Sequence, residues 1–134
     1  MAKRVMIMGC GRVGGTLAQM LAARGDQVTV LDLNADNFRR LRSNPKIAAI
    51  VADGTSVEDL RSAGIQRMDV FVAVTSTDTI NALAAQTAQI TFGVPSVVCR
   101  INDPVRQEIY EQLGLRTVTI TQLTANMILD AMDR

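Results

Sequence analysis

Three glycines and one carboxylate carry the first chemical signal in this chain. In "VMIMGCGRVGGTL" (Val5 to Leu17) an apolar run gives way to Gly9, Gly11 and Gly14, followed by residues of helical composition. The glycines of such a strand-to-helix turn serve different ends, for Gly9 permits the tight turn, Gly11 lets the backbone approach a pyrophosphate, and Gly14 lets the helix pack close to the strand. The N–H groups freed at the helix amino terminus then face the phosphates, with Arg12 and Val13 inside the loop. Asp32 closes the next apolar run, where a carboxylate accepts hydrogen bonds from the ribose hydroxyls of an adenosine. It is followed by Leu33 and Asn34, not by an arginine, and its charge would repel a ribose 2′-phosphate. NADP is therefore disfavoured, while NAD(H), ATP and ADP share the ribose that Asp32 would hold. The bland alternative, a glycine turn with Asp32 capping a helix, is outweighed by the two elements occurring together.

Further polar groups fall where a nucleotide would reach them. Asp53, Gly54 and Thr55 follow the third apolar run and either border the adenine or cap a helix. Thr75 and Ser76, with Thr77, follow the fourth and stand beside the phosphates or the distal half of the ligand, or again cap. Arg12 can reach a terminal phosphate of its own or a neighbouring subunit's ligand, or lie solvated. Arg100, beside "NDP", can meet a phosphate, a carboxylate across a subunit contact, or water.

Groups for catalysis are not apparent. The chain has no histidine, so the commonest general acid or base is missing. Lys3 and Lys46 precede strands at the far end from the glycine loop, and Tyr110 sits within an expected helix. Cys10 lies in the loop with no base beside it to activate the thiol. Cys10 and Cys99 fit neither a CxxC redox pair nor a metal-ligand spacing and read as small buried hydrophobes of a reducing compartment.

The elements that must position these residues alternate strictly. Branched apolar runs at Arg4 to Met8, Gln27 to Asp32, Ile47 to Asp53, Val70 to Thr75, Ser96 to Ile101 and Arg116 to Ile120 read as buried parallel strands. Helical segments lie between them: Gly25 closes Arg12 to Arg24, Asn34 caps a stretch through Arg42, and Thr55 with Glu58 has capping-box spacing. Gly93 closes a stretch from Asp78, and Pro104 opens a helix that Gly114 ends. Right-handed crossovers on both faces then give an α/β, Rossmann-like, doubly wound six-stranded parallel sheet in the order 3-2-1-4-5-6, as a single domain. The ligand crevice belongs beyond the carboxyl ends of strands one and four. In the last segment Leu123, Met127, Ile128, Ala131 and Met132 form a helical stripe that covers this sheet or packs on another subunit.

Composition limits the function classes. A length of 134 residues suits one domain and is too short for a cofactor domain plus a substrate domain. With 48% hydrophobic and 20% charged residues and a net charge of +1, no field argues for a nucleic-acid or anionic-membrane partner. The apolar start is too short for a signal peptide or a membrane span, so a cytoplasmic location is expected.

Taken together, "GCGRVGGTLAQMLAARGDQVTVLD", "VADGTSVEDLRSAGI", "DVFVAVTSTDTINALAAQTA" and "RINDP" resemble an RCK domain (regulator of K+ conductance) of the TrkA N-terminal type, over essentially residues 1–134. The specific parts are the Gly-Arg-x-Gly-Gly loop, Asp-Gly-Thr followed by Glu58 and Leu60, the spacing of Thr75, Asp78 and Asn81, and Arg100 to Pro104. The resemblance implies a regulatory subunit or gating domain of a potassium transporter or channel. It would bind NAD(H), ATP or ADP, pair as a homodimer, and assemble into an octameric ring at the inner membrane beneath a membrane partner. Asp32 would hold the ribose, the glycine loop the phosphates, and Arg12 a terminal phosphate; the final helix would cross to a neighbour. Glu111 matches a position that helps bind a cation at the dimer contact in some relatives. The stretch shows neither a pore segment nor the smaller C-terminal domain that often follows, so ion movement is expected to need a separate membrane protein. An NAD-dependent oxidoreductase, or its cofactor domain, is the enzyme alternative, and a nucleotide-free interaction domain is the third reading.

Overall fold

All six apolar runs become strands of one parallel sheet in the computed structural model, which describes residues 1–134. The strands are β1 (Arg4–Met8), β2 (Gln27–Asp32), β3 (Ile47–Val51), β4 (Val70–Ala73), β5 (Ser96–Arg100) and β6 (Arg116–Val118), in the order β3-β2-β1-β4-β5-β6. Every neighbouring pair is parallel, with Val5 opposite Val28 on one side and Val70 on the other. The helices are α1 (Arg12–Ala23), α2 (Val57–Ser62), α3 (Asp78–Gln86), α4 (Pro104–Gln112) and α5 (Ile120–Met132). This is the doubly wound α/β topology read from the alternation of runs.

Side chains alternate across a strand, so the sheet has two cores. Val5 and Ile7 of β1 join Val28, Val30, Val72 and Val74 under Ala18, Leu21 and Ala22 of α1. Met6 and Met8 point the other way and join Leu31, Phe71, Cys99 and Ile101 under Leu60, Ile65 and the alanines of α3. Small residues at Ala82, Ala84 and Ala85 of α3, and at Ala88 in the turn that follows it, let this segment approach the sheet, and all four are nearly inaccessible.

Several expectations need correction. The outer strands are not buried: no residue of β3 or β6 is inaccessible, because each pairs on one side only and lies under less helical cover. Strands three to six stop two or one residues short of their apolar runs as the chain turns into the loops, although the buried Ala52, Val74 and Ile101 still donate their N–H groups to Asp32 O, Met8 O and Val118 O of the neighbouring strands. The segment capped by Asn34 is a 3-10 helix, Ala35–Arg40, ending at Leu41 with extended backbone; Asp36 N donates to the Asn34 side chain. The α2 cap is Ser56, whose hydroxyl accepts from Asp59 N at 3.1 Å, and not Thr55 with Glu58. Thr55 instead spends its N–H and hydroxyl on Asp53, at 2.9 and 2.6 Å. The stretch from Asp78 passes into a π turn over Thr87–Thr91 before Gly93. Finally, α5 carries no buried residue, so of the two placements for its stripe, cover over this sheet is not what is observed.

Candidate functional site

The glycine loop builds the floor of the site. Gly9 takes φ +108°, a left-handed conformation that side chains resist, and its N–H donates to Leu31 O at 2.8 Å. At Gly14 a Cβ would lie 1.8 Å from Gly9 O, so only glycine lets α1 start against the turn. Gly11 caps α1 without any side-chain acceptor, and a Cβ there would meet nothing within 4 Å. No acidic residue occupies the first turn of α1, so its N–H groups remain available to an anion.

Asp32 links this loop to the end of β2. Its Oδ2 accepts from Cys10 N at 2.8 Å; its Oδ1 accepts from Asn34 N at 2.9 Å and from the Asn37 amide at 3.0 Å. The carboxylate is thereby held at the rim, half-buried, with part of its accepting capacity committed. Beneath it Cys10 is inaccessible, and burial first, then the Asp32 charge, push its thiol above the ordinary range. Burial raises Cys99 likewise, to about 11. Neither is an activated nucleophile.

The loops after β3 and β4 form the side walls. Asp53 accepts both Thr55 bonds, its hydroxyl first and its N–H second, and these hold the Asp53 carboxyl below the usual range. After β4, Asn81 is wholly buried and ties two loops together: its carbonyl accepts from Thr75 N and Oγ1, and its amide donates to Thr75 O and Arg100 O, all between 2.6 and 3.0 Å. The buried Asp78 carboxylate receives Asn102 N and Asp103 N at 2.9 and 3.0 Å. Asp103 in turn caps α4 by accepting from Val105 N.

These walls enclose a cavity of about 760 Å³ beyond the carboxyl ends of the strands, within the size range of small-molecule sites. Twelve of the thirteen residues expected to bind a cofactor border it: Gly9, Gly11, Arg12 and Val13 below, Asp32 and Leu33 at one rim, Asp53, Gly54 and Thr55 along one side, Thr75, Ser76 and Arg100 opposite. Gly14 lies outside, buried in the turn that shapes the loop. Arg12 is exposed and Arg100 half-buried; neither is in a salt bridge, although Arg100 Nε donates to Asn102 Oδ1 at 3.2 Å. Two long-stemmed cations and a row of N–H donors thus face a cleft whose carboxylates stand at its rim and side. The open space at Gly11 is the cradle a pyrophosphate needs, so the residues fit a nucleotide.

Sequence reasoning missed Asn37, Ile80 and Leu83 at this cavity. Asn37 gave no signal because it lies in the segment expected to be an α-helix. Ile80 and Leu83, on successive turns of an amphipathic helix, resemble ordinary packing positions. Glu111 stands elsewhere, at the opposite end of the sheet in a shallow cleft with Arg116 and Thr117; its carboxylate accepts from Thr117 Oγ1 at 2.7 Å. No three His, Cys, Asp or Glu side chains converge there or elsewhere on a point fit for a metal ion.

The TrkA-N domain family model matches residues 5–121. A Trk system potassium uptake protein TrkA from Streptomyces coelicolor is 43% identical over 125 residues, 93% of this chain and 56% of that protein. The chain thus spans little more than half the length of that relative. Among solved structures, the TrkA-N domain of inner membrane protein ybaL from Escherichia coli superposes with a TM-score of 0.84 at 15% identity, covering 98% and 97% of the two chains. The GsuK channel bound to NAD superposes at 0.76 and 18% identity over 92% of this chain and 22% of that one. The same protein bound to ADP gives 0.77 and 21% over 94% and 32%. At these identities the structural matches establish the fold, and the family match with the Streptomyces relative establishes more: this chain belongs to the TrkA-N domain family.

Proposed function

We propose that this chain is the nucleotide-binding module of a regulatory subunit or gating domain of a potassium transporter or channel, which senses NAD(H) or ATP/ADP. The observation that carries the reading is the convergence on one cavity of the open glycine cradle, the first turn of α1, Asp32 and two arginines outside any salt bridge. A relative named for potassium uptake, and a channel of the same fold solved with NAD and with ADP, support it.

In this reading Asp32 accepts from the ribose, and the N–H groups of Arg12, Val13 and Gly14 receive the phosphates. Leu33, Asp53, Gly54 and Thr55 flank the adenine, while Thr75, Ser76 and Arg100 meet the distal half. The Arg12 guanidinium reaches a terminal phosphate, of its own ligand or of a neighbouring subunit's. The nucleotide is read and not converted in this reading, for the thiols are buried and the carboxylates that border the cleft, Asp32 and Asp53, are engaged by donors of their own loops. Two copies pair, pairs assemble into an octameric ring in the cytoplasm, and the ring docks beneath a membrane partner at the inner membrane; no helix of this chain is long and apolar enough to cross a membrane. A nucleotide changes the ring only through differential affinity for two arrangements, since equal binding to both shifts nothing.

Calorimetric titration with NAD+, NADH, ATP and ADP tests the reading. The wild type is expected to bind adenine nucleotides. Arg12→Ala is expected to weaken ATP by about tenfold or more while changing NAD+ little, the worth of one charge-assisted contact. Equal losses for ATP and ADP would detach Arg12 from the terminal phosphate, and no binding by any of the four would remove the function.

A further inference from the structure

We propose that Asn37 shares the ribose with Asp32, so that the two side chains divide the two hydroxyls between them. This inference rests on the nucleotide-binding reading above and adds to it a residue that determines discrimination between ribo- and deoxyribonucleotides.

An ionised carboxylate offers about four lone-pair sites and no donor. On Asp32, Oδ1 already accepts from Asn34 N and the Asn37 amide, whereas Oδ2 accepts only from Cys10 N. Oδ1 is therefore filled, and a single site remains on Oδ2. The two hydroxyls of a ribose need two acceptors, so Asp32 can take one of them while its own contacts stay intact.

The second acceptor stands beside it. Because a carboxylate only accepts, the group that Asn37 turns toward Asp32 must be its NH2, which fixes the orientation of the planar amide. The carbonyl oxygen of Asn37 is then the other end of that amide, and it accepts no hydrogen bond from within the chain. Asn37 borders the cavity and is half-buried. Its backbone is held by the 3-10 segment, where its N–H donates to Asn34 O at 3.1 Å and Asp36 N to the Asn34 side chain at 3.0 Å. One side chain thus orients Asp32 through its nitrogen and presents an acceptor through its oxygen.

ADP, 2′-deoxyADP and 3′-deoxyADP separate the roles, because ADP is the portion common to ATP and NAD. With wild type, each deoxy analogue is expected to bind about fivefold more weakly than ADP, the worth of one hydrogen bond. Asn37→Ala is expected to bind ADP about fivefold more weakly and to lose its discrimination against one deoxy analogue while keeping it against the other. Asn37→Ser, a shorter acceptor, provides the same comparison should the alanine variant not fold. If a folded variant kept both deoxy penalties at their wild-type values, Asn37 would act only by orienting Asp32, or not at all, and the division of hydroxyls would be wrong. Failure of ADP, ATP and NAD+ alike to bind the wild type is a different outcome, which removes the nucleotide reading and this inference together.

Discussion

Two glycines a few residues apart separate what the loop needs to fold from what it needs to bind. A methyl group at Gly14 would collide with Gly9 O, a backbone atom that cannot move without opening the turn, whereas one at Gly11 would enter open space. Gly14→Ala is accordingly expected to lower stability by about 1–3 kcal/mol, the range of forced overpacking. Gly11→Ala is expected to melt with the wild type yet to bind nucleotide at least several-fold more weakly. Paired thermal melts and titrations check both, and equal stability losses in the two variants would refute the distinction. That Gly9, Gly11 and Asp32 stand at the carboxyl ends of β1 and β2 was legible from type and spacing, whereas Arg12 and Arg100 read equally well as solvated side chains. Asn81 and Asp78 were visible only as members of a motif, and their work is internal: they fix the loops after β4 and β5 from within α3. Nothing in an amino-acid string distinguishes a buried amide that positions a loop from an exposed one that touches a ligand.

Elements were legible where hydrophobic periodicity dominates, and less so where local chemistry sets their ends. β1 and β2 match their runs and Asn34 caps as its position suggests, while Ser56 and Asp103 decide starts that depend on which neighbouring polar residue captures a free N–H. Asp26 shows such chemistry at the joint between α1 and β2. Nearly inaccessible, it accepts from Lys3 N at 2.8 Å and from Arg24 Nε at 2.6 Å, tying the end of α1 to the residue preceding β1. The Lys3 bond first and the Arg24 bond second hold its carboxyl below the usual 3.8. A carboxyl lowered by folding stabilises the native state at pH values above its unfolded value and loses that contribution as pH falls through the folded one. Asp26→Asn is therefore expected to melt below wild type at neutral pH, with the gap narrowing once the pH drops below about 3.8. A gap independent of pH would assign the loss to packing instead of charge.

At the scale of the whole molecule, apolar side chains of α5 and of the α4 region stand exposed. Met127, Ile128, Leu129 and Met132 of α5 are between 56% and 72% exposed, and Val105 and Ile109 of α4, with Leu113 at its end, are exposed by half or more. The spacing predicted a helix there but could not say what its apolar face meets, because that depends on a surface outside the segment. Patches of this kind mark association sites, and pairing of copies through α5 is the occupant our reading assigns. Sedimentation is expected to show dimers or larger assemblies for wild type and a shift toward monomer for Met127→Glu with Ile128→Glu; a monomeric wild type would count against pairing through this chain alone. Thermal unfolding of wild type and Asp32→Ala with ATP, ADP, NAD+ or NADH decides whether the cavity takes an adenine nucleotide through its glycine cradle and Asp32. At about a hundred times its dissociation constant a ligand stabilises by about 2.7 kcal/mol, a rise on the order of 10 °C for a domain of this size. Such a rise is expected for wild type with at least one nucleotide, with its loss in Asp32→Ala at the same concentration; an unchanged wild-type melting temperature with all four would mean that the cavity binds none of them.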